Sequence, residues 1–216
     1  IQLVNSSHVC LFRGRSTPMR RIDAATGLIL LYGHDIRHYA PAMNDIPGHS
    51  SQYCDDLVRT QDEDRWLASR YAAAPLRRCL MALYAFHVEI RRIPSAVTEP
   101  PLGEIRLQWW RDLIAGASLH EEDVAGGGEA GHPVASRLVE AIARHRLPAE
   151  AFDRMLEARI FDVYDDPMPS RDHFEAYAGE TASTLIVLAA TILSPSGADR
   201  IADAAGHAGV AQTAAG

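Results

Sequence analysis

The stretch PLRRCLMALYAFHVEIRRIPS, residues 75–95, decides the fold of this chain. Its apolar positions recur at i, i+3, i+4 and i+7, which is the spacing of one face of an α-helix. The residues on this face are Leu76, Cys79, Leu80, Leu83, Phe86, His87 and Ile90. Pro75 suits the helix start, where a missing N–H costs nothing, and Pro94 predicts the helix end. The pattern therefore predicts one long helix with a buried stripe.

Amphipathic segments on both sides of this helix predict a helical bundle. Upstream, a helix is predicted over residues 51–60 with Ser51 as its N-cap, and a short one over residues 63–73. Downstream, helical spacing covers residues 98–116, 133–147, 149–166, 171–193 and 198–215. The sequence contains no useful alternating strand pattern, so the predicted fold class is all-α.

The predicted helix over residues 98–116 contains two adjacent tryptophans, Trp109 and Trp110. We predict that the inward face of this helix consists of Leu102, Ile105, Trp109 and Leu113, and that Gly116 ends the helix. Adjacent helical positions point about 100° apart. Only one tryptophan of the pair can therefore face the core, and the other is expected to line a groove or a seam between helices.

The later helices have clearer apolar faces. The predicted inward residues are Val134, Leu138 and Ile142 in one helix, and Phe152, Met155, Leu156, Ile160 and Val163 in the next. Ser170 is predicted to cap the helix over 171–193. The small residues near the middle of that helix, which are Ala178, Gly179, Ala182 and Ser183, predict close approach of another helix.

Composition narrows the functional class. The chain has 216 residues, 47% hydrophobic and 23% charged, with a net charge of −7. This negative net charge argues against a general nucleic-acid-binding protein, because the neutralisation of phosphates needs a basic surface. Three widely spaced cysteines indicate reduced thiols and no zinc site. No apolar run approaches about 20 residues, the length that a membrane helix needs. The reduced thiols predict a cytoplasmic protein, and the inner face of the membrane is the alternative location.

The two ends of the chain predict a fragment of a longer protein. The chain begins with Ile1, not Met, and it ends at Gly216 without a clear helix stop. Residues 1–50 show no sustained period and are expected to be a poorly ordered or unrelated leader. Residues 51–216 are expected to form the helical domain, with its C-terminal part missing.

Two acidic runs were weighed as ion-binding sites. HEED, residues 120–123, is interpreted as a solvated charge run in a Gly-rich loop. DVYDD, residues 162–166, places Asp162 and Asp166 at i, i+4 on one predicted helix face. These two carboxylates are either a polar helix end or a pair that holds a water or an ion above a pocket.

Histidine and arginine residues on the long helix also have two readings. His87 lies in the apolar stripe and is interpreted first as a satisfied core histidine. The pairs Arg77-Arg78 and Arg91-Arg92 are either simple surface charge or a site for a diphosphate, whose oxygens match the planar guanidinium fork. No nucleotide-binding glycine motif is present in the sequence.

Two long stretches resemble a known family. YCDDLVRTQDEDRWLASRYAAAPLRRCLMALYAFHVEIRRIPSAVTEPPLGEIRLQWWRDLIAG, residues 53–116, and ARIFDVYDDPMPSRDHFEAYAGETASTLIVLAATIL, residues 158–193, resemble the squalene/phytoene synthase family. LGEIRLQWWRD is the most specific piece. The chain is most similar to a divergent branch that includes an assembly factor of respiratory complex I and its bacterial relatives. The resemblance covers about residues 51–216 and implies an isoprenoid-synthase-like helical bundle around a central cavity.

The family's enzymes join two isoprenoid diphosphates head to head and hold magnesium with two aspartate-rich motifs. The first motif corresponds to residues 91–95, where this chain has Arg91 and Ser95 instead of carboxylates. Arginine cannot ligate Mg²⁺. The second motif would lie beyond Gly216. No cofactor is therefore evident in this chain, although Mg²⁺ is implied if the family activity is retained.

Two functions follow from the resemblance. The first is head-to-head prenyltransfer with a degenerate first motif, and the alternative is a non-catalytic scaffold or complex I-type assembly factor with a lipid-like binding cavity. The expected partners are an isoprenoid diphosphate or another lipid-like ligand, with peripheral membrane contact and no nucleic acid. The candidate substrate-binding residues are Arg65, Arg77, Arg91, Arg92, Glu89, Asp162, Asp166 and Tyr177. Catalytic residues are not assigned.

Overall fold

A computed structural model describes residues 49–119 and 132–215. Within those residues the predicted all-α class is confirmed, since every regular element is helical. The helices are α1 (His49–Gln61), α2 (Glu63–Ser69), α3 (Ala74–Ala96), α4 (Pro100–Leu119), α5 (Pro133–His145), α6 (Ala149–Tyr164), α7 (Arg171–Ala178), α8 (Thr184–Leu193) and α9 (Ala202–Ala215). A π-helical turn (Gly179–Ser183) joins α7 to α8, and two 3₁₀ turns (Pro195–Gly197 and Asp199–Ile201) precede α9.

The centre of the described bundle is α3. Its predicted stripe is confirmed, because every stripe residue from Cys79 to Ile90 is buried, and Leu76 is partly buried. Met81, Ala82 and Val88, which lie outside the stripe, are buried as well. A helix that is apolar on nearly all sides lies in the core of a protein. Accordingly, α3 contacts α1, α5, α6 and α8.

An aromatic cluster joins α3 to α4 and α6. The ring of Phe86 meets Trp110 edge-on at 5.1 Å between centroids and Phe152 at 5.6 Å. Edge-to-face pairs of this kind add about 0.5–1.5 kcal/mol to the burial of the rings themselves. Trp110 is 4% exposed and Trp109 is 42% exposed, which confirms that only one of the two tryptophans faces the core.

The predicted inward face of α4 is wrong at three of its four positions. Leu102, Ile105 and Trp109 are each more than a third exposed, whereas Leu113 is partly buried and packs against the core. The buried side consists instead of Gly103, Leu107, Trp110 and Ile114. The helix also continues past Gly116 to Leu119.

Close packing of α4 against α6 explains this rotation. A Cβ atom added to Gly103 would lie 2.6 Å from Cγ1 of Val163, far inside van der Waals contact. Only glycine lets the two helices approach at this point, and the approach turns the Leu107 and Trp110 side of α4 inward. The apolar residues of α4 are numerous enough to form two stripes, and the contact with α6 selects one.

Two predicted helix boundaries also differ. Pro94 does not end α3, which continues to Ala96. The proline removes one backbone donor, and the Ser95 hydroxyl donates to the carbonyl of Arg92 at 2.9 Å, while buried Ile93 holds this turn against the core. At the other boundary, Ser51 lies inside the first turn of α1, because that helix begins at His49.

The later helices follow the sequence closely. The predicted inward residues of α5 are all buried, and those of α6 are buried except Ile160, which is partly buried. Ser170 caps α7 by accepting from the backbone N–H of His173 at 3.3 Å. The small residues of the π-helical turn do admit another helix, since a Cβ on Gly209 of α9 would lie 2.1 Å from Oγ of Ser183.

One helix among the described residues is long and apolar enough to span a membrane. This segment, Arg171–Leu193, has 23 residues, and 44% of its apolar window is buried inside the protein. Core helices of soluble proteins pass the same test of length and composition, so the segment is weak evidence for a membrane span.

The cysteines within the described ranges, Cys54 and Cys79, are buried free thiols. The acidic run at residues 120–123 and nearly all of the predicted leader, residues 1–48, lie outside the described residues.

Candidate functional site

A closed hydrogen-bonded triangle lies between α6 and α7. Nη1 of Arg159 donates to Oδ2 of Asp162 at 2.7 Å and to the Tyr177 hydroxyl at 2.6 Å. That hydroxyl donates in turn to the same Asp162 oxygen at 2.8 Å. Arg159 is 7% exposed, and burial raises the pKa of Tyr177 above its usual value. Tyr177 therefore stays protonated and can act as donor.

His87 lies beside this triangle, in the middle of α3. Its side chain is 4% exposed, and burial is the main reason that its pKa lies well below the usual 6.5. The charges of Arg159, Arg65 and Arg91 lower the pKa further. His87 is therefore a neutral ring near three cations. Its burial agrees with a core histidine, but Nδ1 makes no hydrogen bond to any described residue.

Arg65 brings a second arginine to the same region from α2. It forms an ion pair with Asp62, and its Nη2 donates to the Gln212 side chain at 2.7 Å. Its guanidinium carbon also lies 5.8 Å from the centre of the Tyr84 ring. Arg65 thus links α2 to α3 and α9. We define the cationic cluster as His87, Arg91, Arg159, Asp162 and Tyr177 together with Arg65.

A separate polar group surrounds Glu89. Burial raises the pKa of Glu89, while Arg92, a hydrogen bond from Tyr53 and Arg106 oppose that rise. Glu89 and its hydrogen bond likewise contribute to the raised pKa of Tyr53, after burial. We define the Glu89 cluster as Glu89, Tyr53, Arg92 and Arg106.

These two clusters lie on different sides of α3. His87 and Arg91 are one helical turn apart and share a side, whereas Glu89 is two positions from His87 and points roughly 200° away from it. Arg91 and Arg92, which the sequence treats as one pair, therefore belong to different clusters. Both arginines are exposed.

Two of the predicted site residues lie elsewhere. Arg77 donates through Nη2 to the carbonyl of Ala72 at 2.9 Å, so it stabilises the turn before α3. The expectation that Asp162 and Asp166 share a helix face is wrong, because α6 ends at Tyr164 and Asp165 adopts a left-handed φ of 52°. Asp166 lies beyond this break and is exposed.

The carboxylates near the first motif position do not fit a magnesium site. Asp162 is held by Arg159 and Tyr177, and Glu89 is held by Tyr53 beside Arg92. Mg²⁺ requires several oxygen ligands in near-octahedral geometry. Within residues 49–119 and 132–215, no group of three or more His, Cys, Asp or Glu side chains could hold a metal ion.

Arg159, Tyr53 and Arg106 are cluster members that the sequence analysis did not place at a site. Arg159 occupies a position of the α6 apolar stripe, one turn after Met155 and one turn before Val163. A charged residue in such a position must be paired when it is buried. This was the available signal for a buried partner such as Asp162. Tyr53 gave no signal beyond its place on the apolar side of α1.

Sequence comparisons identify the relatives of this chain. The profile described as squalene/phytoene synthase matches residues 58–215. The relatives named NADH dehydrogenase (ubiquinone) complex I, assembly factor 6, include those of Rattus norvegicus, 33% identical over 76% of this chain, and Homo sapiens, 31% identical over 76%. A homolog from Drosophila melanogaster is 30% identical over 78%. The matches cover 46%, 46% and 49% of those proteins, so the chain spans about half the length of the curated relatives it matches.

Proposed function

Because the chain belongs to the squalene/phytoene synthase family, we propose that it has kept the family's helical fold without its magnesium-dependent chemistry and acts as a non-catalytic assembly factor of respiratory complex I. The proposal takes the place of prenyltransfer as the leading function. The proposed role is that of the whole protein, because this chain covers only about half the length of its relatives.

The charge of the site is the observation that carries the proposal. A departing diphosphate gathers negative charge, and metal ions held by carboxylates neutralise it in the family's enzymes. Here position 91 is arginine, position 95 is serine, and Asp162 is already neutralised by Arg159. A site built this way has cations in place of a metal, which suits binding of an anion better than its activation as a leaving group.

The relatives supply the second line of support. Mammalian, insect and amoebal proteins that align with most of this chain carry a name that describes assembly of complex I, not synthesis of an isoprenoid. Relatives at about a third identity usually share a fold, while their activity depends on the site. The cationic cluster agrees with the assembly role for this chain.

We further propose that the cationic cluster holds the anionic head group of a lipid-like ligand. Nε of Arg159 is a buried donor that makes no hydrogen bond within the described residues, and Arg91 adds an exposed arginine to the cluster. Arginine binds phosphate oxygens through two parallel N–H donors and needs no metal for this. Location in the cytoplasm or at the inner face of a membrane, and peripheral membrane contact, stay predictions.

Disruption of the gene in its own organism tests the assembly role. We expect less fully assembled complex I on native gels and a loss of NADH-dependent ubiquinone reduction, both restored by the full-length gene. Normal complex I in the disrupted strain would contradict the proposal.

A biochemical assay tests the enzymatic alternative separately. The purified full-length protein is incubated with geranylgeranyl diphosphate and Mg²⁺, and released pyrophosphate is measured. We expect no release above the level of a protein-free control. Release that rises in proportion to the protein concentration would instead support prenyltransfer.

A further inference from the structure

A niche lies at the other end of α3 from the cationic cluster. Seven residues of α1, α3 and α5 line it: Ser51, Pro75, Arg78, Cys79, Arg137, Glu140 and Arg144. Arg78 and Arg91 are 13 positions apart on α3, which corresponds to about 20 Å along the helix. The niche is therefore separate from the site proposed above.

The niche carries more positive than negative charge. Nη1 of Arg137 pairs with Oε2 of Glu140 at 2.8 Å, and Glu140 is the only acidic residue of the lining. Arg78 and Arg144 are exposed and form no ion pair with any described residue, and the one ion pair within the lining is Arg137 with Glu140. The positive charges of two guanidinium groups are therefore not balanced in the lining. The lining thus has three guanidinium groups and one carboxylate.

Two further observations indicate that these cations converge. Burial raises the pKa of Cys79 at the side of the niche, and the charges of Arg144 and Arg78 oppose that rise. Both arginines line the niche together with this cysteine. Nε of Arg137 is buried and makes no hydrogen bond within the described part of the chain. A buried donor without a partner is costly, so an acceptor at this point would stabilise the fold.

We propose that this niche binds one phosphoryl group, as inorganic phosphate or as a phosphate monoester. Three guanidinium groups from two helices can share the oxygens of one tetrahedral anion, each through charge-assisted hydrogen bonds. Ser51, in the first turn of α1, also lines the niche and has a hydroxyl that can donate to the same anion. The bound anion would tie α1, α3 and α5 together at the end of the bundle that lacks the cationic cluster.

Phosphate titration of the full-length protein tests the site. Thermal unfolding is measured with increasing inorganic phosphate at constant ionic strength, with chloride as the replaced anion, because a ligand that binds only the folded state raises its apparent stability. We expect saturable stabilisation of the wild type and at least a tenfold weaker phosphate affinity for the Arg78→Ala/Arg144→Ala double variant.

The matched control is Arg154→Ala/Arg171→Ala, which removes the same charge from two exposed arginines on α6 and α7. This variant should keep the wild-type phosphate affinity. Equal loss in both double variants would show an effect of net charge only, and unchanged affinity in Arg78→Ala/Arg144→Ala would show that the niche does not bind phosphate. Either result would overturn the proposal.

Vesicle flotation separates the two sources of the phosphoryl group. Wild type and both double variants are mixed with phosphatidylcholine vesicles that contain or lack phosphatidic acid. Binding that needs phosphatidic acid, Arg78 and Arg144 identifies a lipid head group, whereas stabilisation by inorganic phosphate without vesicle binding identifies a soluble ligand. The absence of both effects would contradict the proposal, and it would leave the complex I role unaffected.

Discussion

The charged groups on the two sides of α3 are stabilised in different ways. On one side, Arg159, Asp162 and Tyr177 form hydrogen bonds with each other, and His87 is neutral. On the other side, Glu89 has a hydrogen bond with Tyr53, and burial raises its pKa. Two positions along one helix therefore separate a cationic environment from a partly buried carboxylate.

This difference teaches that the loss of the acidic motif is not a simple loss of charge. Arg91 extends the cationic cluster, whereas Arg92 compensates Glu89 on the other side of the helix. The neighbouring arginines are therefore expected to have different roles, one in ligand binding and one in balancing a buried acid. Substitutions of single residues on each side of α3 test this difference in roles.

Removing Arg159 should have the largest effect. Arg159→Met leaves Asp162 and Tyr177 without their shared donor in a largely buried site, and we expect a loss of about 3 kcal/mol in the free energy of unfolding. Chemical denaturation measures this free energy.

A double variant and a surface variant serve as controls. Because Asp162→Asn removes the uncompensated charge, the Arg159→Met/Asp162→Asn variant should recover part of the loss in stability. Arg154→Met, on the exposed side of the same helix, should change stability by less than about 0.5 kcal/mol. Equal losses from the two single variants would contradict the closed triangle.

Substituting Arg91 and Arg92 one at a time should give the next largest effect, a difference in ligand affinity between the two variants. Arg91→Ala should weaken binding of geranylgeranyl diphosphate about tenfold, because a charge-assisted hydrogen bond contributes about 1.5 kcal/mol or more. Arg92→Ala should bind nearly as the wild type does, since Arg92 lies in the Glu89 cluster. Isothermal titration calorimetry of the full-length protein measures both. If the two variants lose affinity equally, the assignment of the arginines to different clusters is wrong.

His87 should make stability fall in mild acid. Its pKa in the folded state lies well below 6.5, so the unfolded state binds more protons below pH 6.5. Its contribution is fully present above pH 6.5 and is lost as the pH falls towards the folded pKa, by at most about 1.4 kcal/mol per pH unit. His87→Gln should have a shallower slope of unfolding free energy against pH. An unchanged slope would mean that His87 is not held neutral.

Glu89 should produce a smaller pH dependence of opposite sign. Burial raises its folded pKa, so the folded state binds more protons just above pH 4.5 and stability falls as the pH rises through this window. We expect Glu89→Gln to remove this fall and to change stability at pH 7 by less than about 1 kcal/mol. Denaturation at several pH values measures the effect. A large loss of stability at pH 7 in this variant would show that the ionised carboxylate is needed.

The predictable part of the fold rests on patterns that one helix determines by itself. The stripe of α3, the inward residues of α5 and the Ser170 cap all follow from helical spacing or from local hydrogen bonding. The end of α3 was less predictable. Pro94 sits in the last turn, where the cost of one lost donor is small compared with the burial of Ile93.

The face of α4 required knowledge of a neighbour. Both Ile105 and Leu107 are apolar, and the sequence alone gives no reason to bury one of them in preference to the other. Gly103 decides between them, because α6 brings Val163 into the space that any side chain there would occupy. A glycine inside a helix was the only local sign of this approach.

The sequence by itself determined the all-α class, the membership of a family and the replacement of acidic residues by Arg91 and Ser95. Each of these depends on residue identity and on the 3.6-residue period. The tertiary structure decided that Arg91 and Arg92 serve different clusters and that Arg159 neutralises Asp162. Those facts depend on which helices pack beside each other, because a buried charge such as that of Arg159 needs a partner from its neighbours.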